Sequence, residues 1–168
     1  MAYSTSVELY DVAEWHELFV AAAGAAAALA GLVFVAVSIN VERILSFHGL
    51  PERALQTILL LLGAVVVSIL GLIPQSTNTL AIELLVATVM LCFGLFYSAR
   101  AAFDTGGNRT WLFSRLVVVV PGSVPYLVAA VSLLIGSGGG LAWMAVGILG
   151  AMIGAVVNAW VLLVEILR

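Results

Sequence analysis

The sequence has no lysine, one cysteine and two histidines. It is also poor in charge, with nine acidic and six basic side chains making up 9% of its 168 residues. A water-soluble domain carries about 25% charged residues, so most of this chain's surface meets something other than water. The lone cysteine, Cys92, excludes an intrachain disulfide. The two histidines, His16 and His48, stand near opposite ends of the first long apolar run, so they cannot ligate one haem iron. His16 beside Glu14 and Glu17 has no recognised metal-ligand spacing, and no metal or cofactor is expected. No Gly-rich phosphate loop, HExxH, CxxC or nucleophile elbow occurs, and no nucleophile–base pair stands out, so the chain is not read as an enzyme. A net charge of −3 gives no basic footprint for nucleic acid.

What the sequence does have is hydrocarbon. Apolar residues make up 64% of it, the mean hydropathy is +1.22, and several runs exceed the roughly 18 residues needed to cross a hydrocarbon core about 30 Å thick. The short alternating segments of a β-barrel are absent. The expected fold is all-α: a polytopic bundle of five transmembrane helices preceded by a short N-terminal interfacial helix. Residues 1–16 form that interfacial segment and 17–168 a single five-helix membrane domain. Thr5 and Glu8 have capping-box spacing. Val7, Tyr10 and Ala13 form a weak apolar face beside an acidic stripe of Glu8, Asp11, Glu14 and Glu17, and Trp15 suits the interface.

Span one is expected at 18–41, with its helix continuing to Phe47. Gly49 and Pro51 then mark a stop and restart. Span two is expected at 54–73, span three at 80–101, span four at 116–135 and span five at 141–163. Pro74 to Asn78, Asp104 to Arg109 and GSGGG at 136–140 are the turns, with Trp111 and Phe113 at an interface. Span one contains AAAGAAAALAG at 21–31, almost without bulk. Alanine gains little from lipid, so this span is expected to be the enclosed, central helix, with leucine-rich span two facing lipid.

All six arginines (Arg43, Arg53, Arg100, Arg109, Arg115 and Arg168) fall on one side of a five-span chain. The positive-inside rule makes that side cytoplasmic, with the N-terminus outside and the C-terminus inside. Residues 1–17 hold no basic residue, so no cleavable signal is expected. The expected location is a cell membrane, as a multi-pass protein of the bacterial inner or plasma membrane type.

Candidate site residues follow from what hydrocarbon penalises. Pro121 and Pro125 each remove a backbone donor, from the carbonyls of Val117 and Pro121, with Gly122 and Ser123 between them and Tyr126 just after. Such a break binds ions in some transporters; more commonly it is a kink satisfied by neighbours. Glu83 lies one turn inside span three, where a carboxylate is either interfacial or a cation or proton site. Asn158 is expected to hydrogen-bond between helices, with Ser38, Asn40, Gln56 and Thr57 at similar depth. Glu17 belongs to an acidic stripe that would become a ring in an oligomer. Gly24, Ala28 and Gly31 in span one, and Gly147, Gly150 and Gly154 in span five, are candidate helix-packing positions. Two functions fit. In one, the chain self-assembles, with the lipid bilayer and its own copies as partners, and encloses a path for ions or a small solute. In the other, it is a non-catalytic scaffold or modulator packed against another membrane protein.

Overall fold

The computed structural model describes residues 9–47, 49–104 and 116–167. Among these residues the secondary structure is helical, with no strand. Five helical segments are long and apolar enough to cross a membrane: Val12–Ile39, Leu50–Leu72, Thr77–Arg100, Leu116–Ile135 and Leu141–Glu165. By length and composition this is a multi-pass membrane protein. The expected capping box, the 105–115 turn with Trp111 and Phe113, and His48 lie outside the described residues.

Among the described residues that precede span one, Val12–Trp15 form a 3-10 turn capped by Asp11, whose carboxylate accepts from the Ala13 N–H at 3.0 Å. Span one follows as one helix, His16–Ile39. The helix does not run unbroken to Phe47 as expected. It stops at Asn40, whose side-chain amide turns back to the Ala36 carbonyl at 2.9 Å, and a short helix Val41–Ser46 follows. This local bond offers the backbone an alternative to continuing the helix. Gly49, in the left-handed region at φ 86°, and Pro51 in the first turn start span two, Leu50–Leu72. Ser76 opens span three by accepting the Thr79 N–H at 3.2 Å, and the helix runs Thr77–Asp104. Gly136, at φ 71°, ends span four with its N–H on the Ser132 carbonyl.

Spans two, three, four and five form a four-helix bundle. Spans two and four sit across it from each other, each flanked by spans three and five. Span one lies outside, along span two, with only slight contact to span five. The expectation that the alanine-rich span is central and the leucine-rich one faces lipid is therefore reversed within the chain. Only 17% of the most apolar stretch of span one is buried, against 44% for span two. The reason is volume. A helix flanked by several others must fill the space between them to the density of a protein interior. Leu60, Leu61, Ala64 and Val67 of span two fill it; a rod of alanine would leave voids. Span one uses one narrow stripe, Phe19, Ala22 and Ala26, against span two. The Phe19 ring sits over Gly71, where a β-carbon would come within 2.7 Å of it.

The two ends of the molecule are tied by long-range contacts. At one end, the Leu9 carbonyl accepts the Leu141 N–H at 2.9 Å, and Tyr10 bonds both Ser132 Oγ (3.3 Å) and the Gly139 N–H (3.2 Å). The N-terminal segment is thus docked onto the glycine-rich fourth connection. Gly140, at φ 47°, is required here, because a β-carbon would meet the Leu9 carbonyl. At the other end, Ile44 of the short helix, Leu50 and Ala54 of span two and Leu162 of span five form a small buried apolar cluster.

Candidate functional site

The polar groups inside the bundle divide into two kinds. Most are hydroxyls that fold back on their own helix: Thr57 to the Arg53 carbonyl, Ser68 to Ala64, Thr88 to Leu84 and Ser123 to Val119, all at 2.6–2.8 Å. Such back-bonds satisfy the donor locally and carry no chain of hydrogen bonds across the bundle. The second kind comprises, among the described residues, four buried atoms without a partner: Glu52 Oε2, Gln56 Oε1, Tyr126 OH and Asn158 Nδ2. An unpaired buried polar atom costs about 1–3 kcal/mol, so these four positions mark where something beyond apolar packing was selected.

Three of the four lie toward the end of the bundle that carries Arg53 and Glu165. Glu52 and Gln56 are one turn apart on span two; Asn158 is on span five, which packs against it. Gln56 and Asn158 are 1% and 2% exposed, deep enough that neither reaches the lipid. A fully buried Gln56 near the start of span two is what the sequence left unemphasised. Ser38 and Asn40 do not join them: both bond their own helix, to the Phe34 and Ala36 carbonyls, and Ser38 is exposed.

The broken span is held shut by span five. Gly122, Ser123 and Val124 donate backbone N–H groups to the carbonyls of Val119 and Val120 at 3.0–3.3 Å, which tightens the chain through the break. The break then lies on a ladder of glycines. Gly147 receives the edge of the Tyr126 ring, Gly150 the Pro121 carbonyl and Gly154 the Val118 carbonyl, where a β-carbon would stand at 2.9 Å. Gly122 in turn faces Ala151 and Leu60. The carbonyl freed by Pro125 is thus pressed against a glycine backbone. A close carbonyl–glycine approach of this kind permits a weak Cα–H···O contact. The arrangement is a satisfied kink at a helix crossing, with Ser123 and Pro125 both buried.

Glu83 is similarly engaged. Its carboxylate accepts the Gln75 side-chain amide at 2.9 Å, and the same amide donates to the Leu70 carbonyl at 3.1 Å. Gln75 therefore clasps the end of span two to the second turn of span three through Glu83.

Glu17 points elsewhere. It is exposed and heads a series on span one spaced alternately by four and three: Glu17, Ala21, Gly24, Ala28, Gly31, Val35 and Ser38. Every member is exposed, and Gly24 and Gly31 have nothing within 4 Å of where a β-carbon would lie. This 3.5-residue period is the seam of a left-handed helix pair, and from Ala21 to Gly31 it is made of residues that let helix backbones approach closely. It lies away from the Phe19, Ala22 and Ala26 stripe that holds span one to span two. Gly24 and Gly31 thus face open space and Ala28 is exposed. Asp11 and Glu14 are exposed near its N-terminal end.

Compared with known families, curated proteins and solved structures, the chain shows no significant match.

Proposed function

We propose that the protein works by assembling with copies of itself in the membrane through the outer face of span one, and that any path for ions or a small solute runs between the copies. The observation that carries this reading is the exposed seam from Glu17 to Ser38, whose glycines face open space within the chain. Its small residues favour close helix association in lipid. Repeated around an axis, the seam lines that axis and sets Glu17 as a ring of carboxylates at one mouth, an arrangement that concentrates cations. Among the described residues, the buried hydroxyls of Thr57, Ser68, Thr88 and Ser123 bond to their own helices and the proline break is packed against glycine, so neither supports a competing route within each copy. The arginines orient the assembly with the N-terminus and Glu17 outside and the C-terminus in the cytoplasm, in a plasma or bacterial inner membrane. No enzymatic step is proposed.

A second reading, a scaffold or modulator of another membrane complex, is favoured by one observation. A cleft of about 360 Å³ runs between spans one and five, lined by Val37, Ala36, Trp160 and Leu163 among others, and it offers a further apolar surface to a different helix. The discriminating experiment is cation flux into liposomes together with the subunit number. A defined homo-oligomer whose flux falls in Glu17→Gln supports the first reading. A monomer, or an oligomer that conducts nothing under any applied gradient, removes it.

A further inference from the structure

The fourth unpartnered atom, Tyr126 OH, stands apart from the other three. A groove of about 410 Å³ opens on the outer face of the bundle between spans two and three, within the size range of small-molecule sites. Its walls include Gly63 and Val67 from span two and Thr88, Met90 and Leu91 from span three. One further lining residue, Tyr126, comes from span four, so its side chain walls the groove from the bundle interior. Tyr126 is fully buried, yet its hydroxyl has no partner. Thr88 also lines the groove; its hydroxyl hydrogen is spent on the Leu84 carbonyl at 2.6 Å, leaving that oxygen able only to accept. The groove therefore combines an apolar body with one unspent hydroxyl donor.

Depth selects the ligand. Tyr126 lies ten residues from one end of the Leu116–Ile135 span and nine from the other, which at 1.5 Å per residue places it about 15 Å from either interface. Phospholipid ester carbonyls sit at the interfaces, outside a hydrocarbon core about 30 Å thick, and cannot reach it. We infer that this groove is a binding site for an uncharged, membrane-dissolved carbonyl compound with an apolar tail, of the quinone type, whose carbonyl accepts the Tyr126 hydroxyl proton. The inference is independent of the assembly proposed above, since the groove and the seam lie on different spans.

The test uses two fluorine-labelled probes of matched bulk, a decyl-substituted para-benzoquinone and decylbenzene, titrated against the detergent-purified chain and followed by fluorine NMR. Wild type should bind the quinone about fivefold more tightly than the hydrocarbon, the equivalent of one neutral hydrogen bond. Tyr126→Phe removes only a buried hydroxyl that bonds nothing in the protein, so it should unfold at or above the wild-type temperature and lose that preference. Met90→Trp, at a rim position 70% exposed, should weaken both probes at least threefold by closing the mouth. Equal binding of the two probes to wild type would mean the groove takes any acyl chain, and would overturn the inference. So would no binding, an unchanged preference in Tyr126→Phe, or unchanged quinone binding in Met90→Trp.

Discussion

Two sets of glycines in this chain have opposite surroundings. Gly147, Gly150 and Gly154 of span five are covered by the ring and carbonyls of span four; Gly24 and Gly31 of span one face open space. In lipid, small residues mark where backbones meet, and the first set meets its partner inside the chain. The second set has no partner there. The contrast teaches that a small-residue motif alone says that a contact exists, not whether it is made within one chain or between chains. It also makes the two sets experimentally separable, because one should respond to substitution through folding and the other through assembly.

The largest effect is expected at Gly150. A methyl there runs into the Pro121 carbonyl and its carbon, backbone against backbone, with no flexible end to yield. Overpacking of this kind costs about 1–3 kcal/mol and sometimes more. Gly150→Ala should lower the unfolding temperature in detergent more than Gly147→Ala, Gly154→Ala or Gly71→Ala. Gly71→Ala comes next. Its methyl meets the fully buried Phe19 ring at 2.7 Å, so it should loosen span one from span two, by about 1–3 kcal/mol. Phe19→Leu in the same chain should recover part of the loss, a coupling that a double-mutant cycle measures.

Glu83→Ala should cost less, about 0.5–1.5 kcal/mol for one hydrogen bond, because Gln75 keeps its bond to the Leu70 carbonyl. The smallest effect on folding is expected at Gly24→Leu and Gly31→Leu. Nothing stands within 4 Å of where either β-carbon would lie, and leucine is a better helix former than glycine, so neither variant should unfold below the wild-type temperature. These same variants should nevertheless dissociate the assembly, seen as a fall in mass by light scattering. If Gly24→Leu destabilised the monomer as strongly as Gly150→Ala, the contrast between the two sets would be broken.

Much of the fold was legible from hydrophobic length alone. The five spans, the turn at Pro74, the proline break and the glycine face of span five are each written locally, as run lengths or as backbone chemistry. Which span is central was not. In water, a helix displays its buried face as a stripe of apolar residues; in lipid, both faces are apolar and the stripe vanishes. Leu60 and Leu62 look alike in sequence, yet the first is buried and the second exposed. Alanine richness in span one was read as enclosure by this chain's own helices, but four bundle helices need bulk between them, and span two supplies it. The docking of Leu9 and Tyr10 onto Ser132, Gly139 and Leu141 was also hidden, since it joins residues more than 120 positions apart. Among the site residues, Glu83 and Asn158 could be picked out as polar atoms in an apolar run. Gln56 and the Tyr126 groove could not be ranked, because what distinguishes them is the lack of a partner, and that is a property of packing.

The central claim is that span one's outward seam joins copies of the chain. Single-molecule photobleaching of singly labelled protein in lipid bilayers tests it most directly. Wild type should bleach in a fixed number of steps greater than one, and Gly24→Leu with Gly31→Leu should bleach in one step while unfolding at or above the wild-type temperature. One-step bleaching of wild type, or an unchanged step number in the double variant, would contradict the account.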